Sequence, residues 1–234
     1  MSGWHPRRGM VLAAGLGLRL RPLTDQMPKP MVPVAGRSLI DRALDRFAEV
    51  PVETCVVNLH HKAEMLKAHL AARTMPHLLF SDETDALLET GGGVAKALPL
   101  LGSDAFYVAN SDVLWTGAAM TRLAQFWDGR RMDALLLLHP CATASGYDGA
   151  GDFYLETDGR LRRRGQNPSA PFLFAGVQIL HPGLFTDLPE GKFSLNILFD
   201  RALAAGRLFG IIHDGEWFHV GTANGLALAE KTLR

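Results

Sequence analysis

The stretch Met10-Val11-Leu12-Ala13-Ala14-Gly15-Leu16-Gly17-Leu18-Arg19-Leu20-Arg21-Pro22-Leu23-Thr24, followed by Lys29-Pro30-Met31-Val32-Pro33, decides the reading of this chain. The apolar run over 10–14 reads as a buried strand. It breaks into a glycine-rich turn in which Gly15 and Gly17 let the backbone approach a ligand, and the free amides of such a turn form an anion nest. Arg19 adds a planar fork suited to phosphate oxygens. Lys29, between Pro28 and Pro30, places a compact charge on stiffened backbone. Nest, fork and point charge together suit a polyphosphate. The pattern is not a P-loop, since no G-x-x-x-x-G-K-[ST] occurs. Nor is it the dinucleotide fingerprint, whose third glycine is missing and whose opening helix Pro22 blocks.

With 234 residues, 47% of them hydrophobic, the chain has material for one α/β domain with a sizeable core. Its 24 basic and 24 acidic side chains cancel, so neither nucleic acid nor a membrane surface is expected as a partner. Cys55 and Cys141 sit in apolar, strand-like contexts and read as reduced core residues of a cytoplasmic protein. Arg7-Arg8 ahead of Met10–Leu18 faintly imitates a signal peptide. Arg19 and Arg21 interrupt it at once, however, and no small-residue cleavage site follows. Residues 1–8 are therefore expected to be a flexible extension and 9–234 one folded unit. No later segment is long and apolar enough to cross a membrane.

Strand and helix patterns alternate through the first 140 residues. Strands are predicted over 10–14, 54–58, 77–80, 106–109 and 134–138. Helices are predicted over 39–47 (Ser38 as N-cap), 62–72, 92–98 and 118–127. Continuous apolar strands separated by helices point to a mostly parallel, Rossmann-like sheet covered on both faces, a three-layer αβα domain. After His139-Pro140 the pattern changes. A hairpin is expected over 152–162, a long strand over 172–180, a helix over 195–205, short strands over 208–212 and 217–220, and a closing helix over 222–233. This divides the domain into a half of about 9–140 and a smaller hairpin-bearing half, 141–234, with the site at the carboxyl ends of the strands.

Three further segments carry candidate chemistry. Leu88-Glu89-Thr90-Gly91-Gly92-Gly93 precedes a helix; alone it is a glycine-rich loop capping that helix. Asn110-Ser111-Asp112 follows an apolar strand. An aspartate there has a dry root and a wet tip, which suits Mg²⁺, a cation that takes one or two carboxylates plus substrate phosphates; Asn-Ser-Asp is equally good turn chemistry. Trp217-Phe218-His219-Val220-Gly221-Thr222 is the third. His60-His61 is assigned no metal, because adjacent side chains at a strand end point apart.

Taken together, the opening stretch strongly resembles the signature L-A-A-G-x-G-x-R-[LM]-x-P-L-T…K-P-[ML]-[VL]-P of the sugar-1-phosphate nucleotidyltransferases, or NDP-sugar pyrophosphorylases. Leu18 stands where many members have Thr, Ser or Glu. The resemblance spans roughly 10–233 and implies an NTP and a sugar 1-phosphate as substrates, in a monomer or small homo-oligomer. It makes Arg19, Lys29 and Asp112 the catalytic candidates. Around the nucleotide it places Leu12, Ala13, Ala14, Gly15 and Gly17 with those two cations, and then Asn58, Glu89, Gly91 and Gly92. Asn110, Asp152 of Gly151-Asp152-Phe153, Asn167 and Gly176 of Phe174-Ala175-Gly176 fall to the sugar. The E-T-G-G-G, G-D-F and F-A-G wording is similar to the branch taking N-acetylmuramate 1-phosphate and UTP, with GTP and mannose 1-phosphate as runner-up.

Two departures from the family pattern matter. A lysine that holds the sugar phosphate in many relatives is absent, leaving Arg164 or Asn167 to substitute. The second metal carboxylate is replaced by His219. Imidazole suits Mn²⁺, Co²⁺ or Zn²⁺ better than Mg²⁺, and three readings stand side by side. His219 ligates a softer ion, holds a metal-bound water or phosphate, or is a core histidine with Asp112 alone carrying the Mg²⁺. The lost carboxylate also leaves open a non-catalytic nucleotide-sugar sensor.

Overall fold

A computed structural model describes residues 4–233. The chain runs β1 (Arg8–Leu12), α1 (Leu23–Gln26), a small hairpin of β2 (Pro33–Val34) and β3 (Arg37–Ser38), α2 (Leu39–Ala48), β4 (Thr54–Leu59), α3 (Ala63–Leu70), β5 (His77–Asp82), α4 (Glu89–Leu101), β6 (Phe106–Asn110), β7 (Val113–Trp115), α5 (Ala119–Phe126), β8 (Ala134–Pro140), β9 (Phe153–Leu155), β10 (Leu161–Arg163), β11 (Phe172–Leu180), α6 (Asn196–Ala204), β12 (Leu208–Ile212), β13 (Trp217–His219) and α7 (Ala223–Thr232).

Side chains alternate across each central strand, and both faces are apolar, which dictates the layering. Met10, Val56, Phe106 and Val108 pack with Val94 and Ala97 of α4 and Leu198 and Phe199 of α6. Val11, Val57, Tyr107 and Ala109 pack on the opposite face with Leu44 and Phe47 of α2, Leu66 of α3 and Leu123 of α5. Fully burying each such side chain contributes about 1.5–3 kcal/mol. The result is the three-layer αβα domain read from the sequence. The main sheet order is β5-β4-β1-β6-β11-β8-β12, with the β9–β10 hairpin joined beside β11. β1, β4, β5 and β6 are parallel, and β12 is parallel to β8. β11 runs antiparallel between β6 and β8.

Beneath the carboxyl ends lies a smaller core of Leu20, Val32, Val34, Leu114, Phe218, Val220 and Ala229. It fastens the opening loop to the β7–β13 ladder and to α7. Leu20, flanked by exposed arginines, is the anchor on the loop side.

Most elements fall where the sequence put them, and the differences have local causes. β1 ends at Leu12 instead of Ala14, because the Ala13 N–H is taken by the Asn58 side chain at 2.7 Å. α4 begins at Glu89, so the three glycines lie inside its first turns. Of the extension expected over 1–8, residues 1–3 lie outside the described residues. Trp4 stacks on Trp127 with ring centroids 6.0 Å apart, and Arg8 already belongs to β1. The strand β7 and its pairing with β13 were not anticipated.

Candidate active site

The opening loop leaves β1 at the edge of a cleft of about 500 Å³, lined on this side by Leu12, Ala13, Ala14, Gly15 and Gly17, with Leu18 and Arg19. Gly17 has φ +65, in the left-handed region that glycine tolerates. A Cβ there would also come 2.8 Å from Lys29 Cβ and Thr24 Cγ2, and Thr24 Oγ1 donates to the Gly17 carbonyl at 2.9 Å. One glycine thus folds the nest and lets Lys29 pack beneath it.

Lys29 reaches across to Asp112. Its Nζ lies 2.6 Å from Asp112 Oδ2, and the two side chains are 11% and 25% exposed. The β7–β13 pairing sets His219 opposite Val113, which brings His219 Nε2 to 3.5 Å from the same oxygen. Burial pushes the Asp112 pKa up, but the His219 imidazole and the Lys29 charge overcome that and hold the carboxyl well below the usual carboxylate range. The His219 ring is itself fixed: it stacks on Trp217 at 6.2 Å, and Trp217 Nε1 donates to the Ala175 carbonyl at 2.9 Å. Gly221, which the sequence reading did not single out, lines the cleft between the two halves of this cluster. A Cβ on it would come 2.4 Å from the His219 ring and 3.0 Å from an Arg19 guanidinium nitrogen.

Most sequence-derived candidates gather here. Asn58, Glu89, Asn110 and Asp112 line the same cleft, joined by Leu87, Thr90 and Ser111. Glu89 adopts φ +61, a costly conformation for a side-chain-bearing residue and one found at ligand sites. Gly176 (φ +78) marks a register shift in β11 and touches Asn110, whose Nδ2 would be 3.1 Å from an added Cβ.

Other candidates are placed differently. Asn58 is 2% exposed and spends its amide inside the protein, accepting from Ala13 N and donating to Glu83 at 2.7 Å. Gly91 and Gly92 do not line the cleft. Both amides donate to the Phe193 carbonyl, at 2.9 and 3.1 Å. A Cβ on Gly91 would strike the Phe193 ring at 2.4 Å, and one on Gly92 the Gly191 carbonyl at 2.3 Å. Asp152 Oδ2 is engaged by Phe174 N at 2.9 Å. Asn167 is exposed and bonded to the Arg164 carbonyl, so neither it nor Arg164 stands in the cleft.

A glycine nest, Arg19, the Lys29–Asp112 pair and the adjacent imidazole can bind and neutralise a chain of phosphates at strand ends. The family model described as Nucleotidyl transferase matches residues 8–161. The chain belongs to this family. It is 44% identical to the N-acetylmuramate alpha-1-phosphate uridylyltransferase of Caulobacter vibrioides, over 97% of each chain. It is 28% identical to the mannose-1-phosphate guanylyltransferase of Mycobacterium tuberculosis, over 93% of this chain and 62% of that one. The solved structure of HddC from Yersinia pseudotuberculosis complexed with GMP-PN superposes with a TM-score of 0.80 at 20% identity, covering 97% of this chain and all of that one. The protein is an enzyme of sugar-1-phosphate nucleotidyl transfer, which sets aside the sensor reading. Among the described residues no helix is long and apolar enough to cross a membrane.

Proposed function

We propose that the protein joins N-acetylmuramate 1-phosphate to the uridylyl group of UTP and releases pyrophosphate, in the cytoplasm. The observation that carries the substrate choice is the 44% identity along the whole length of an enzyme with that name. The chain lines up with the guanylyltransferase at much lower identity.

An ionised sugar phosphate needs no general base. It attacks the α-phosphorus in line, the bond to the β-phosphate oxygen breaks, and no covalent enzyme intermediate forms. Catalysis is then positioning plus charge neutralisation. The nest at Gly15 and Gly17 holds the triphosphate, and Arg19 faces the departing pyrophosphate. Lys29, held against Asp112, adds a second cation for the pyrophosphate. Asn110, backed by Gly176, is turned to the sugar phosphate, and Glu89 with Thr90 offers polar edges to the base.

A divalent cation fits this arrangement with few protein ligands. No group of three or more His, Cys, Asp or Glu gathers among the described residues. Asp112 and His219 would hold the ion and substrate phosphates complete its shell, as Mg²⁺ commonly accepts. Such an ion would supply charge neutralisation at the reacting phosphates.

The test is a matrix of four NTPs against several sugar 1-phosphates, scored by pyrophosphate release with Mg²⁺ and with Mn²⁺. UTP with N-acetylmuramate 1-phosphate is expected to give the highest kcat/KM. A higher value for GTP with mannose 1-phosphate would overturn the substrate choice.

A further inference from the structure

Glu83 is a carboxylate with no exposed surface, in the turn after β5, and nothing in the transfer chemistry uses it. Placing such a group away from water is costly unless each oxygen is engaged. Both are. Oε1 accepts from Asn58 Nδ2 at 2.7 Å, and Oε2 accepts from the Leu88 backbone N–H at 3.3 Å. Its main chain is held separately: Glu83 N donates to the Leu59 carbonyl, and its own carbonyl lies 2.6 Å from His60 Nδ1.

One of those partners, Asn58, lines the cleft, and the other, Leu88, lies between Leu87 and Glu89, which line it too. Ala13 N can only donate, so Asn58 must turn its Oδ1 to it, which leaves Nδ2 pointing at Glu83. Glu83 Oε1 accepts from that Nδ2, so the carboxyl and the Ala13 N–H together fix which way the Asn58 amide faces. Through Asn58 the carboxyl sets the backbone that opens the nest, and through Leu88 it sets the residue next to Glu89. The third glycine of the E-T-G-G-G run belongs to the same arrangement. A Cβ on Gly93 would lie 2.8 Å from Glu83 Oε1 and 3.1 Å from Asn58 Nδ2, so α4 carries no side chain where the carboxylate must sit. Gly91, Gly92 and Gly93 thus answer to three different neighbours: Phe193, Gly191 and Glu83.

The geometry points to Glu83 as a positioning residue for the nucleotide subsite, tying the opening loop of β1 to the start of α4 through Asn58 and Leu88. This rests on the reading of the cleft as an NTP site. It touches no substrate. Its effect is to hold two stretches of backbone, one after β1 and one at the start of α4, at a set separation.

The hydrogen-bond pattern gives a test that separates this role from bulk stability, because its polarity can be reversed. Glu83→Gln alone turns an N–H₂ toward one of two donors. Asn58→Asp alone sets two carboxylates face to face. In the double variant every bond is restored: the new carboxylate at 58 accepts from Ala13 N and from the new amide at 83, whose oxygen accepts from Leu88 N. UTP is titrated in the presence of Mg²⁺ well below each variant's Tm, alongside amide hydrogen exchange at Ala13 and Leu88. Each single variant is expected to weaken UTP binding by about tenfold or more, the scale of one buried group left unpaired, and to lose exchange protection at those amides. The double variant is expected to recover UTP affinity to within about threefold and to regain protection. If a single variant does not fold, Gly93→Ala, which displaces the carboxylate without removing it, is expected to show the same loss of affinity. Single variants that bind UTP like wild type, or a folded double variant that stays weak, would overturn the proposal. A wild-type protein that binds none of the four NTPs defeats the substrate reading instead. The exchange pattern then decides on its own, with loss in the singles and recovery in the double supporting the tie and unchanged protection refuting it.

Discussion

Lys29 Nζ and Asp112 Oδ2 lie 2.6 Å apart, from segments 83 positions distant in the chain. The pair is mostly dry, so each partner makes the other's charge tolerable. It also joins the glycine-rich opening segment to the strand end that offers a carboxylate.

Asp112→Ala is expected to lower the rate of pyrophosphate release at least about 10²-fold, the scale of losing one preorganised electrostatic group. The unpaired ammonium of Lys29 should cost some stability too, although Asp112 is part of no apolar core. Far-UV circular dichroism and steady-state kinetics on the same preparation check both. Turnover within a few-fold of wild type would remove Asp112 from the mechanism.

His219→Asp is expected to move the metal preference toward Mg²⁺. With an imidazole 3.5 Å from Asp112 Oδ2, the wild-type donor set is softer than a pair of carboxylates, so the Mn²⁺-to-Mg²⁺ ratio of kcat should be high and should fall in the variant. An active variant with an unchanged ratio would show that His219 does not ligate.

Mild acid is expected to destabilise the fold through a second pair of histidines. His139 and His213 are buried, with ring centroids 5.7 Å apart. Burial lowers both pKa values below the ordinary 6.5, an effect that Asp214 partly opposes at His213. A depressed histidine pKa means that the unfolded chain takes up protons first. Stability is therefore full above about pH 7, falls as the pH drops through about 6.5, and levels off below the folded-state values. Urea midpoints between pH 8 and pH 5 should show this slope, and His213→Gln should flatten it. A profile that His213→Gln leaves unchanged would refute the assignment.

Gln178→Met is expected to stabilise the protein. Gln178 is fully buried in β11, and neither end of its amide has a hydrogen-bond partner among the described residues. Leaving such a group unpaired costs on the order of 1–3 kcal/mol, and methionine has similar length and a flexible, apolar end. Denaturant unfolding should show a higher midpoint at unchanged slope. A lower midpoint would mean that the amide is satisfied in solution.

Periodicity and composition carried the layers, the strand order class and nearly every element, because continuous apolar strands have few other solutions. The opening loop was legible for a different reason: paired glycines, a fork and a point charge in one short stretch suit a polyphosphate, whereas Asn-Ser-Asp is equally good turn chemistry and Asp112 was singled out by the family resemblance. The residues placed otherwise than expected are those whose neighbours come from far along the chain. Gly91 and Gly92 look like a base-binding turn until Phe193, a hundred positions away, is seen to occupy the space. Asn58 does line the cleft, but both ends of its amide are engaged inside the protein, by Ala13 and Glu83. Glu83 sits in an unremarkable turn, and nothing local marks it as buried.

The insertion of β11 between β6 and β8 has a consequence for how this protein can be cut. Residues 8–161 carry the recognisable family pattern, yet they exclude β11, β12, α6 and Phe193. Expressed alone, that fragment would bare one long edge of β6 and both edges of β8, and would leave the amides of Gly91 and Gly92 without their carbonyl. Unpaired edges of that kind recruit other chains. The portion most easily spotted in a genome is thus not a module that can be transplanted. The C-terminal third supplies the pairing partners of β6 and β8 and the carbonyl that Gly91 and Gly92 bond, so domain-swap or split-enzyme designs on this chain have to keep the two parts together.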